Sequence, residues 1–189
     1  NYWFHFRCEQ HIYIAEKMKI LLIITSSVGC YKALDLIREF QKKSIDFEII
    51  ATKNTFEFIS PLLLETISHK KVYSELFDLD MEKNIGHIKL ARDNTHIVVY
   101  PATANIISKF AQGLCSDLAL TCMIAANKPI YIAPAMNKEM WANSLIQNNV
   151  KLLKEHGHHF IGPEDGSLAC GEYGSGRLVD PEEILNQLK

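Results

Sequence analysis

Residues 129–141 read P-I-Y-I-A-P-A-M-N-K-E-M-W, and the fold is decided there. Ile130, Tyr131 and Ile132 are apolar and β-prone, while Pro129, which lacks an N–H, suits only the start of a strand. Lys138, Glu139, Met140 and Trp141 fit a first helical turn. Between them lies Pro134-Ala135-Met136-Asn137, where Pro134 fixes its own φ and Asn137 is a good N-cap. In a parallel sheet such a turn sits at the carboxyl end of its strand, where open α/β folds bind ligands. Asn137 either only caps its helix or presents an amide that can donate and accept; the spacing serves both readings equally.

The same alternation extends outward in both directions. Residues 20–24 are a continuous apolar run, as in a central parallel strand. Residues 30–43 follow with Leu34, Ile37 and Phe40 on one helical face. Residues 47–51 read as a second strand. Thr52-Lys53-Asn54 opens a short helix ending before Pro61, and a helical turn over 62–68 leads to an exposed connection. A short helix is expected over 87–92 and a strand over 96–100, broken by Pro101-Ala102-Thr103-Ala104-Asn105. Helices over 106–110 and 118–126 precede the opening stretch. A helix over 142–156 stops at Gly157, and 159–161 is a last strand. Residues 162–177 read as irregular, and 181–189 as a terminal helix with Pro181 first. The alternation implies right-handed crossovers and one parallel sheet with helices on both faces.

The totals narrow the function. A chain of 189 residues with 48% hydrophobic and 22% charged residues suits one globular domain, and a net charge of −2 gives no electrostatic case for nucleic acid or anionic membrane. No apolar run approaches the roughly 20 residues that cross a bilayer. Cys8, Cys30, Cys115, Cys122 and Cys170 are odd in number, scattered and without C-x-x-C. That argues against a disulfide framework and a zinc site, and suits the cytoplasm. Residues 1–17 mix aromatic and charged side chains without a period. Met18, followed by Lys19 and an apolar run, reads as the natural start. Residues 1–17 are therefore expected to be an N-terminal extension, disordered or added for expression, ahead of one domain over 18–189.

Three strand-to-helix turns carry small polar groups. Thr25, Ser26 and Ser27 bring hydroxyls to a helix N-terminus, a place that suits a phosphate. Thr52 and Asn54 repeat the pattern, as do Thr103 and Asn105. All of them also serve as plain N-caps. There is no G-x-G-x-x-G, and no carboxylate follows the second strand to hold a ribose diol, so a mononucleotide fits better than NAD. His87, in G-H-I-K-L-A, is either a core or surface histidine or a base. His156, His158 and His159 have no cysteine or carboxylate at metal spacing and read as a surface turn and strand start. The loop L-A-C-G-E-Y-G-S-G-R-L is jointed by glycines, and its Cys170 carries a thiol suited to donating a proton at neutral pH.

Gly86-His87-Ile88, Pro101-Ala102-Thr103-Ala104-Asn105, Pro134-Ala135-Met136-Asn137-Lys138-Glu139-Met140-Trp141, and Ala169-Cys170-Gly171 with Gly174, Gly176 and Arg177 together resemble the homo-oligomeric flavin-containing cysteine decarboxylases. The likeness spans residues 18–189, and the cysteine loop favours the phosphopantothenoylcysteine branch over the peptidyl-cysteine branch. It implies a flavodoxin/Rossmann-like three-layer α/β fold holding FMN. FMN would touch Ser26, Ser27, Val28, Thr52, Asn54, Thr103, Ala104, Asn105, Ile106 and Ala135. His87 would be the base or proton relay beside the flavin, and Cys170 would donate the proton late in the cycle. Asn137 would hold the substrate carboxylate, with Met136, Ser167, Leu168 and Ala169 also at the substrate. The implied reaction takes 4′-phosphopantothenoylcysteine to 4′-phosphopantetheine in coenzyme A biosynthesis. Flavin oxidises CH₂–SH to a thioaldehyde, CO₂ leaves, and hydride returns to the enethiolate product. A homotrimer or dodecamer is implied, as is a separate ligase upstream. The family's first turn is more usually glycine-rich than Thr25-Ser26-Ser27. A flavin-binding regulatory subunit and a peptidyl-cysteine decarboxylase are the alternative functions.

Overall fold

The computed structural model describes residues 18–76 and 86–188, so the expectation for residues 1–17 lies outside the described residues. Six strands form the main sheet: β1 (Lys19–Ile24), β2 (Asp46–Ala51), β3 (Val72–Tyr73), β4 (His96–Ala102), β5 (Ile130–Pro134) and β6 (His159–Phe160). They pair in parallel in the order β3-β2-β1-β4-β5-β6. That order is the doubly wound, Rossmann-like arrangement, with the chain reversing its direction of winding between β1 and β4. The eight α-helices among the described residues are α1 (Lys32–Lys42), α2 (Pro61–Ser68), α3 (Gly86–Asp93), α4 (Ala104–Ala111), α5 (Leu118–Ala125), α6 (Lys138–Ala142), α7 (Ser144–Glu155) and α8 (Pro181–Gln187).

Strand β1 shows why both faces must be covered. Ile20, Leu22 and Ile24 enter a core with Ala33, Leu36, Ile37 and Phe40 of α1, Leu64 of α2 and Ile184 of α8. Leu21 and Ile23 point the other way, into a core with Leu90 of α3, Ile106, Ile107 and Phe110 of α4, Leu118 and Cys122 of α5, and Val150 and Leu153 of α7. The period-2 alternation of a strand thus feeds two cores at once.

Several expectations change. The helix expected from residue 30 begins as a 3₁₀ turn, Val28–Tyr31, and the segment after Thr52 is likewise 3₁₀, Lys53–Glu57. The connection after α2 contains the edge strand β3. Pro101 does not break β4, which runs on to Ala102; the register shifts between Val99 and Ala102, so the missing N–H falls where the ladder is already irregular. The helix expected over 142–156 starts at Ser144, capped by Asn143, whose Oδ1 accepts from Leu145 N–H at 2.9 Å. His158 is not on a surface turn. It is half-buried, packs 4.8 Å from the Phe110 ring, and its Nδ1 accepts the Ile130 N–H at 3.2 Å. The largest correction concerns residues 162–177. They form an antiparallel hairpin, β7 (Glu164–Ser167) and β8 (Tyr173–Arg177), separate from the main sheet.

Candidate functional site

The sheet's carboxyl edge carries two hollows, and residues that follow β1 line both of them. Thr25 follows β1 and is buried, at 2% exposure. Its hydroxyl donates to the Pro101 carbonyl at 2.8 Å and accepts the Thr103 N–H at 3.1 Å. It therefore ties β1 to β4 and is not offered to a ligand, against expectation. The second corner is tied in the same way. Thr55, fully buried, donates from Oγ1 to the Ile24 carbonyl at 3.0 Å and lies 2.9 Å from the Thr52 hydroxyl, and Thr52 N–H reaches the same carbonyl at 3.0 Å. At the third corner Thr103 Oγ1 accepts from Ile106 N–H at 3.4 Å, a plain cap.

The first hollow, about 390 Å³, opens between these corners. Ser26, Thr52, Asn54, Thr103, Asn105 and Ile106 all line it. The hydroxyls of Thr25, Thr52 and Thr103 are engaged in the fold, whereas among the described residues the side chains of Ser26, Asn54 and Asn105 make no hydrogen bond to protein. Ile50 and Leu118 add apolar wall, and Lys53 and Lys109 add positive charge, Lys53 being 3.0 Å from Glu75. Unspent hydroxyl and amide groups, cations and aliphatic walls suit a flat ring system that carries a phosphate.

The second hollow, about 640 Å³, lies between the β5–α6 turn and the hairpin. Ser27, Val28, Ala135, Met136, Asn137, Ser167, Leu168, Ala169 and Cys170 line it. Asn137 does more than cap its helix. Its Oδ1 caps α6, accepting Glu139 N–H at 2.8 Å, which leaves its NH₂ facing the hairpin. Nδ2 donates to Glu172 Oε2 at 2.9 Å and to Cys170 Sγ at 3.5 Å, and Sγ lies 3.6 Å from the same Oε2.

Glycines allow the hairpin to approach this closely. Met136 N–H donates to the Gly176 carbonyl at 3.0 Å. A Cβ on Gly176, whose φ is +141°, would stand 2.2 Å from the Met136 oxygen. Where the hairpin leaves the sheet, Asp180 accepts from Lys32 Nζ at 2.5 Å and lies 3.6 Å from Arg177, and Lys32 also donates to the Leu178 carbonyl at 3.1 Å. The hydrogen bond from Lys32 is the main cause holding the Asp180 carboxyl below the usual carboxylate range.

Two expected residues line neither hollow. Ala104 is buried in the first turn of α4. His87 is half-buried at the start of α3, where its carbonyl accepts the Cys122 thiol hydrogen at 3.4 Å. Burial, with Asp117 second, pushes that thiol up to about 12. Sequence reasoning passed over Glu172, Lys32 and Asp180. Only Glu172 had a local signal, as the carboxylate two residues past Cys170 in a short loop.

The chain is 38% identical over 169 residues to the coenzyme A biosynthesis bifunctional protein CoaBC of Haemophilus influenzae, covering 89% of this chain and 42% of that one. The chain thus spans less than half the length of the curated relatives it matches. Among solved structures, it is similar to a cysteine-to-serine mutant of a PPC decarboxylase complexed with pantothenoylaminoethenethiol. The TM-score is 0.82 at 30% identity, over 91% of this chain and 96% of that one. It is also similar to the FMN binding protein AtHal3, with a TM-score of 0.77 at 31% identity, over 91% and 95%. The family model described as Flavoprotein matches residues 10–189, and with two separately built hollows on one sheet edge in view, the chain belongs to the flavoprotein family.

Proposed function

We propose that the chain is an FMN-dependent decarboxylase that converts 4′-phosphopantothenoylcysteine to 4′-phosphopantetheine, with residues 18–189 as its catalytic domain. One observation carries this reading. A thiol, an amide and a capping turn meet within 3.5 Å in a hollow beside a second hollow suited to a phosphorylated ring. The CoaBC and PPC decarboxylase relatives support it.

In this reading Ser26, Thr52, Asn54, Thr103, Asn105 and Ile106 hold FMN in the first hollow, with Ser27, Val28, Ala104 and Ala135 beside it. Bound FMN supplies a two-electron oxidation and its reversal, which gives the substrate carboxylate an electron sink it otherwise lacks. Asn137 holds the substrate carboxylate through its NH₂, since its oxygen is already committed to the cap. Met136, Ser167, Leu168 and Ala169 wall the substrate, and the docked hairpin keeps water from it. Cys170 gives its proton to the carbon that has lost CO₂. His87 serves as base. It lies outside both hollows of one chain, which is consistent with a site shared between subunits of a homotrimer or dodecamer. The cysteine-bearing substrate has to come from a ligase acting upstream.

The test is direct. Purified protein takes up FMN and turns yellow, and then releases CO₂ from 4′-phosphopantothenoylcysteine. Cys170→Ser releases CO₂ about once per site without forming the aminothiol, and His87→Asn releases none. FMN-loaded protein that leaves the substrate intact overturns the proposal.

A further inference from the structure

The hairpin tip holds a polar group that the proposed reaction leaves without a role. Glu172 accepts from Asn137 at 2.9 Å and stands 3.6 Å from the Cys170 sulfur, which is 3.5 Å from the same amide. The tip's backbone fixes this arrangement: Leu168 N–H donates to the Glu172 carbonyl at 2.8 Å and Gly171 N–H to the Leu168 carbonyl at 2.9 Å. Gly171, at φ +83°, supplies the turn between the two side chains.

The triangle is chemically asymmetric. An ionised carboxylate only accepts, so its contact with sulfur is a hydrogen bond only while the thiol keeps its proton. Asn137 can satisfy both neighbours because its NH₂ has two hydrogens. Lys32 and Arg177 also line this hollow, but both are paired with Asp180. Lys138 of α6 lays its stem against Gly174.

We infer that Glu172 is a positioning residue for the Cys170 thiol: its carboxylate accepts the S–H, and Asn137 holds Glu172. The step this serves rests on the decarboxylase reading. There the S–H bond breaks and a C–H bond forms at the carbon that lost CO₂, and the electron pair stays on sulfur as a thiolate. That thiolate stands beside a carboxylate, and the repulsion between them favours recovery of a proton from water. A substrate carboxylate arriving at Asn137 displaces the weaker of its two acceptors, the sulfur. Glu172 then remains the partner of the thiol.

The test uses the full chain with Glu172→Gln and Glu172→Ala. The rate of Cys170 alkylation by iodoacetamide is followed by peptide mass from about pH 6 to about pH 10. Glu172 is exposed, so neither change touches the core. Near neutral pH both variants are expected to react roughly two- to fivefold faster than the parent, with the rate profile displaced to lower pH and the rates converging at the alkaline end. Exposed Cys115 serves as internal reference. Superimposed profiles overturn the inference, as does a uniform increase at every pH, which would report only better access to the sulfur. The decarboxylase reading fails separately: if FMN-loaded parent protein releases no CO₂, the alkylation profiles still decide the role of Glu172.

Discussion

The two hollows share one sheet edge but are held by different kinds of contact. The walls of the first are strand ends, bound to one another through Thr25, Thr55 and Thr103 beneath the surface. One wall of the second is a two-stranded hairpin that pairs with no strand of the main sheet. It is held by the Met136–Gly176 hydrogen bond, the Asn137–Cys170–Glu172 triangle and the ion pairs of Asp180. Segments with few buried contacts open at a small fraction of the global unfolding free energy. A cofactor that stays through many cycles suits the first kind of wall. A substrate that enters, reacts and leaves suits the second, and Cys170, the proton donor in the proposed reaction, lies on the hairpin wall.

The sharpest way to break this contrast is Gly176→Ala. The added Cβ would meet backbone, the Met136 carbonyl, and not a side-chain end that could swing away. The hairpin must lift from the β5–α6 turn, taking Cys170 from Asn137. Product formation should fall by about 10²-fold, the scale of a misplacement near 1 Å. FMN uptake should be unchanged, because no first-hollow residue lies on the hairpin. Turnover at the parent rate would mean that hairpin docking does not matter.

Thr25→Ala is the reverse experiment, on the fixed wall. It strips a buried hydroxyl that serves both the Pro101 carbonyl and the Thr103 N–H. Leaving such groups unpaired costs about 1–3 kcal/mol. Urea denaturation should show that loss and FMN affinity should fall with it, while Thr25→Ser recovers both. If Thr25→Ala keeps its stability and its FMN, the tie between β1 and β4 is ornamental.

The same division explains what could be read from the sequence. The strands of the fixed wall are legible because short apolar runs such as 20–24 and 130–132, bounded by turn residues, suit buried strands, and the turns after them follow from Pro and N-cap chemistry. Which hydroxyl faces a ligand and which ties strands was not legible. Thr25 and Ser26 are neighbours with similar chemistry, and only the distance to Pro101, 76 positions away, separates their roles. The hairpin was missed because Glu164, Gly166, Tyr173, Gly174 and Gly176 lack the alternation of a half-buried strand. Its pairing is sustained by docking on Met136 and by the stem of Arg177 across Gly166. No local pattern singles out His87 as a base; only the family resemblance does, and His87 lines neither hollow.

The smallest effect tests the ion pairs at the base of the hairpin, and its sign can be worked out. The folded-state carboxyl of Asp180 is held below its unfolded value by Lys32. A depressed acid contributes stability that is fully present above the unfolded value, near about pH 4, and is lost as pH falls through the lower folded value. Asp180 is 54% exposed, so solvent screening limits the contribution to less than about 1 kcal/mol. Asp180→Asn should therefore melt slightly below the parent at neutral pH and meet it in acid. At neutral pH, hydrogen exchange in β7 and β8 should speed up in the variant while exchange in β1 and β4 holds. A melting difference that persists unchanged below the folded titration would show that the ionised carboxylate is not what holds the hairpin down. Faster exchange that spread equally into β1 would mean that the two walls rise and fall together, which the separate pairing of their strands argues against.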